Sequence, residues 1–126
     1  MNTYLDKIQK QLNELKLDNI LSVAIIVLSI FNIIGDLIEQ ESVVTNDEDK
    51  KVIAHNIYTL AVLGSIILYL IFFKRSKNSL DEAINENKDT FPYKVRLIGS
   101  IFFIIGILCV FYFTVNETQN IDSPEI

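Results

Sequence analysis

Three long apolar runs, each able to cross a lipid bilayer as a helix, leave this chain few ways to fold. A helix needs about 20 mostly apolar residues to span about 30 Å of hydrocarbon. Residues 20–38, 52–73 and 95–115 each supply such a run. The first is broken only near its end by Asp36, and the second stops abruptly at Lys74-Arg75. Core helices of a soluble bundle keep a polar face, whereas 66–73 and 101–110 have almost none. The sequence therefore predicts an all-α integral membrane protein with three transmembrane helices. The first run is longer than a signal-peptide core, and no small-x-small cleavage site follows it, so it is expected to remain in the mature protein.

Composition agrees once its distribution is considered. The chain is 50% hydrophobic and 21% charged, and the two coexist because charge is confined to the segments between the runs. A length of 126 residues allows a single membrane domain, 1–126. Its expected parts are an N-terminal helix (1–18), three spans, an acidic loop (39–51), a basic loop (74–94) and a tail (116–126). A net charge of −5 argues against nucleic acid as a partner. The lone Cys109 allows no internal disulfide, and one His without a Cys-x-x-Cys pair offers no familiar metal-ligand spacing. Cofactors are therefore not expected.

Orientation follows the distribution of Lys and Arg near the spans. Lys7, Lys10 and Lys16 precede the first run, and Lys74, Arg75, Lys77, Lys88, Lys94 and Arg96 lie between or beside the second and third. Only Lys50 and Lys51 lie between the first and second. Nine basic residues against two predict a cytoplasmic N-terminus and an extracytoplasmic C-terminus in the cell membrane. Aromatic residues, which favour the headgroup layer, mark both boundaries: Tyr69, Phe72, Phe73, Phe91 and Tyr93 inside, and Phe111, Tyr112 and Phe113 outside.

The N-terminal segment carries its own pattern. Met1, Leu5, Ile8, Leu12 and Leu15 recur at alternating spacings of four and three, the stripe of a helix that packs along one seam. No Pro or Gly occurs in residues 1–34, so one amphipathic cytoplasmic helix is expected to continue through the first span. The same register runs on through Asn19, Ser22, Ile26, Ser29, Ile33 and Asp36. The seam is thus apolar where water surrounds it and small or polar where lipid does, so both halves call for a protein neighbour. Within the membrane it is expected to face spans two and three of its own chain. For the first 17 residues the expectation is an oligomer or partner contact, or a place on the membrane surface. Small residues also mark the second span (Ala61, Gly64, Ser65) and the third (Gly99, Gly106, Cys109), as close packing within the monomer would require.

Capping-box patterns at Ser79–Glu82 and Thr45–Glu48 predict a short helix from Leu80 to about Asn87 and a second-span helix starting near Asn46. Leu80, Ala83 and Ile84 are expected to cover the N-terminal helix, and Phe91-Pro92 to open the third helix. The acids Glu39, Glu41, Asp47, Glu48 and Asp49 lack the ordered spacing of a Ca²⁺ loop and read as a solvated turn. Asn116-Glu117-Thr118 matches a glycosylation sequon close to the membrane.

One constellation suggests chemistry. Measured from the outer ends of their runs, Asp36, His55 and Tyr112 lie at similar depths, with Asn32 a turn deeper. A carboxylate near hydrocarbon is costly unless paired, so these four form a candidate ion, proton or ligand site; the simpler expectation is that they anchor helix ends in the headgroup layer. No activated nucleophile, phosphate-cradling loop or metal cluster points to an enzyme. In size and number of crossings the chain is similar to phage holins, small membrane immunity proteins and membrane effectors of bacterial defence. Its abundant Ile, Asn and Lys resemble the usage of AT-rich bacterial genomes. The leading expectation is a non-enzymatic membrane protein that associates with itself or a membrane partner, as an immunity, accessory or regulatory subunit, through Leu5, Ile8, Leu12, Leu15, Ser22 and Ser29. The alternatives are an oligomeric pore-forming or permeabilising effector, and an ion- or proton-handling channel subunit.

Overall fold

A computed structural model of the chain describes residues 2–119. Met1 of the seam and residues 120–126 of the tail lie outside the described residues, as do the side chains of the sequon's Glu117 and Thr118. The fold is all-α, with helices α1 (Asn2–Thr45), α2 (Glu48–Asn85) and α3 (Phe91–Gln119). All three are long and apolar enough to cross a membrane, as the three runs require.

Length separates α1 and α2 from the simplest expectation. At 1.5 Å per residue, α1 is about 66 Å long and α2 about 57 Å, against about 30 Å of hydrocarbon. The amphipathic N-terminal segment and the first span are one helix, as their unbroken sequence implied. α2 likewise runs without a break past Lys74-Arg75 to Asn85. The expected short helix at 80–87 is therefore the last turns of α2, and Ser79 is an interior residue rather than a cap. A charged pair ends a lipid-soluble stretch, but Lys and Arg are good helix formers and give the backbone no reason to stop.

What stops the two helices is asparagine. Asn46 and Asn87 both take the left-handed conformation, with φ of 56° and 57°. After each, an amide reaches back five residues to a free helix carbonyl: Asp47 N–H to Ser42 O (3.1 Å) and Lys88 N–H to Ala83 O (2.9 Å). This is the Schellman closure, usually made with Gly and occasionally with Asn. Asp47 then caps α2, its carboxylate accepting from the Asp49 amide at 3.0 Å, so α2 starts at Glu48 rather than near Asn46. Thr45, read from sequence as the cap, instead donates to Glu41 O inside the last turn of α1.

The two-residue turn sets α1 and α2 antiparallel along most of their length. Glu41 meets Lys50, Asp36 meets Tyr58, Arg75 bonds Asp18 at 2.5 Å, and Lys10 pairs with Glu82. α3 packs on another side of α2, where Tyr69 stacks on Phe103 at 5.5 Å and Arg96 sits over the Phe72 ring at 5.3 Å. Among the described residues α1 and α3 make no contact with each other. The three helices form an open row with α2 in the middle. Accordingly the buried apolar residues, Ala54, Ala61, Val62 and Ala83, all lie on α2.

The glycines divide according to this row. A Cβ added at Gly35 would lie 2.7 Å from Tyr58 Cε1, and one at Gly64 would lie 2.8 Å from Leu28 Cδ2. Those two glycines let α1 and α2 approach closely. Gly99 and Gly106 face open space, contrary to the expectation of close packing within the monomer, because their side of α3 is turned away from α2. Gly35→Ala is therefore expected to destabilise the helix hairpin by about 1–3 kcal/mol through overpacking. Gly99→Ala should be neutral or stabilising by up to about 1 kcal/mol through helix propensity. Denaturant titration of the two variants in detergent checks the contrast.

Candidate functional site at the outer end of the hairpin

The turn between α1 and α2 brings polar side chains together one to three helical turns below it. Asp36 and Glu39 are three residues apart on α1 and so share a face. Opposite them on α2 is Tyr58, whose hydroxyl lies within hydrogen-bonding distance of Asp36 Oδ1 and, at 2.9 Å, of Glu39 Oε2. The Tyr58 ring fits against Gly35, where a side chain would exclude it. On its other edge the ring meets the His55 imidazole in a T-shaped contact, with centroids 6.4 Å apart. His55 itself is buried, at 4% exposure.

Of the four residues singled out from sequence, two belong to this cluster. Asp36 and His55 lie on either side of Tyr58, which links them. Tyr112 projects away from α2 and is 71% exposed, and Asn32 is also exposed. Tyr58 was missed because depth was measured from the ends of the apolar runs. Those ends place Asp36 opposite His55, one turn short of its partner. The usable signal is the Asn46-Asp47 turn: in a tight antiparallel hairpin, residues equidistant from the turn meet, and that pairs Asp36 with position 57 or 58.

The acidic residues nearer the turn are engaged separately. Glu41 accepts from Lys50 at 2.5 Å, and Ser42 is buried with its hydroxyl donating to Glu39 O at 2.6 Å. The hydrogen bond to Glu41 raises the Lys50 pKa above the ordinary lysine value, with smaller contributions from the Glu41 and Asp47 charges and against a desolvation cost. A shallow, open depression on α1 is lined by Asp36, Glu39, Gln40, Val43 and Val44. Among the described residues no three His, Cys, Asp or Glu side chains gather as a metal would need.

The hydrogen-bond inventory sets out what the cluster can do. A phenol has one proton to donate, while two ionised carboxylates offer only acceptors. Tyr58 therefore donates to one of the two carboxylates at a time, and either contact ties α1 to α2.

A scan against protein-family models and searches of curated proteins and solved structures found no match to this chain. The fold and the contacts within it therefore carry the functional reading.

Two tyrosines make the test. Hydrogen bonds to charged groups contribute about 1.5–3 kcal/mol in water-soluble proteins, and interhelical polar contacts in membranes average about 0.6 kcal/mol. Tyr58→Phe should therefore cost the hairpin about 1–2 kcal/mol, while Tyr112→Phe should leave stability unchanged. Unfolding of both variants by detergent titration reads the difference.

Proposed function

We infer that this is a non-enzymatic multi-pass membrane protein that works by helix association, with itself or with a membrane partner, as an immunity, accessory or regulatory subunit would. The observation that carries the reading is the direction of the α1 seam. Ser22, Ser29, Ile26 and Ile33 are all exposed, the last two at 58% and 57%. They lie about 150° around α1 from the Leu17, Leu21, Ala24, Leu28 and Gly35 stripe that meets α2. Apart from Asp36, which meets Tyr58, the seam therefore does not face the chain's own second and third spans. The Ser29 hydroxyl already donates to Ile25 O within α1 at 2.9 Å, so what a second helix gains here is close packing over small residues.

Nine basic residues against two support a cytoplasmic N-terminus in the cell membrane. The extensions of α1 and α2 beyond the membrane then form a two-helix stalk on the cytoplasmic side. A second reading, an oligomeric pore, draws on the same open side, where exposed Ser22, Ser29, Asn32 and Asp36 would line a wet axis shared by several copies.

Two measurements test these readings. The mass of the complex extracted in mild detergent should exceed one chain of 14.4 kDa. Ile8→Glu with Leu12→Glu should return it to one chain without loss of helix content, because both residues are exposed. A bare monomer in the unaltered protein would end the association reading. For the pore, expression should depolarise cells loaded with a potential-sensitive dye, and Ser29→Leu with Asn32→Leu should abolish that signal; unaltered potential at high expression removes the pore.

A further inference from the structure

We propose that the exposed seam of α1 pairs, in parallel and in register, with the same seam of a second copy of this chain. The proposal rests on the association reading above and names its partner. The first support is periodicity. Leu5, Ile8, Leu12 and Leu15 step by three, four and three, the a/d stripe of two helices wound together. Carried into the span, the same register meets Ser22 and Ser29, small residues that let helix backbones approach closely.

The second support is height. Leu5, Ile8, Leu12 and Leu15 are exposed in the part of α1 outside the membrane, with Leu12 at 46%. Within the span the stripe continues with Ser22 and Ser29, also exposed. A partner must change from apolar to small and polar at the same level relative to the bilayer. Another copy does so automatically, because identical chains insert the same way and their α1 helices are then parallel. At the change of character stands Asn19, the a position of the third heptad in the register that begins at Leu5. A single Asn at such a position fixes register and favours one oligomeric state.

The third support is charge. In a parallel pair the flanking g and e positions bring Tyr4 near Gln9, Gln11 near Lys16, and Asp18 near Val23, so no like charges oppose each other. Lys10 and Asp18 are already held by Glu82 and Arg75 of the same chain. Asp6, Lys7 and Glu14 lie at b and c positions, off the seam. From Leu5 to Ile33 the seam and the α2-facing stripe occupy different sides of α1, and only Asp36 at the outer end turns in to Tyr58, so the pairing leaves the monomer fold unchanged.

Single cysteines in a Cys109→Ser background test this in native membranes, before any detergent is added. Cys109 is exposed, so its removal is expected to be tolerated. Leu15→Cys, Ser22→Cys and Ser29→Cys lie on the seam, whereas Ile20→Cys and Val27→Cys are at positions that are also exposed but off it. Under a membrane-permeant oxidant the three seam variants should form disulfide-linked dimers at least five-fold more efficiently than the two controls. The mass in mild detergent should be twice 14.4 kDa. Equal cross-linking at control positions, or none at the seam, overturns the α1 pairing. If the mass is nonetheless a multiple of one chain, self-association stands through another face. A single chain retained with a different protein overturns self-pairing but leaves association with a partner, and a bare single chain overturns both.

Discussion

Everything distinctive here follows from the antiparallel register of α1 and α2, which a two-residue turn sets and interhelical contacts hold. Asn46 in the left-handed conformation and Asp47 as cap reverse the chain with no intervening loop. From that point each residue of α1 has a fixed opposite number on α2. Gly35 makes room for Tyr58, Gly64 for Leu28, and Arg75 reaches Asp18 at the far boundary of the span. The acids of α1 near the turn are thereby brought to a phenol rather than left facing hydrocarbon. Once α2 occupies one side of α1, the seam from Leu5 to Ile33 is left on another, with Asp36 alone turned in to Tyr58.

The sequence made much of this legible, and the reason lies in lipid. Apolar runs of bilayer length specify three helices with little ambiguity, because backbone polar groups in hydrocarbon must bond within their own segment. The unbroken α1 was legible for the same reason, since nothing between residues 1 and 34 disfavours helix. Where the apolar runs end says less, because a helix can continue into water on propensity and on contacts with a neighbour. That is why α2 extends past Lys74 and why α1 reaches Thr45. Asn46 and Asn87 were weak signals beside the capping boxes near them, yet they decide the ends.

The candidate site was half legible for a related reason. A carboxylate one turn inside a span, as Asp36 is, stands out from sequence, but the identity of its partner depends on the hairpin register to within one turn. Measuring from the edge of hydrophobicity selects His55, and measuring from the turn selects Tyr58. The seam stands out in the sequence as a pattern. Its direction depended on which other stripe of α1 would attract α2. That stripe, Leu17, Leu21, Ala24, Leu28 and Gly35, is nearly all apolar and does not stand out against a span that is itself apolar.

Among the described residues α2 touches both neighbours, while α1 and α3 touch only α2. Thermodynamically this makes the protein a linear chain with nearest-neighbour terms, of the kind more familiar from repeat proteins. The cohesion of the domain is then the sum of two interfaces with no closing third. A lesion between α2 and α3 leaves the hairpin intact, and one in the hairpin leaves the aromatic contact of α3 in place. Substitutions on the outer helices should combine additively, as they do at sites that share no partner. The order of loss under stress is set as well: either edge helix can peel away first, and α2 cannot leave before both.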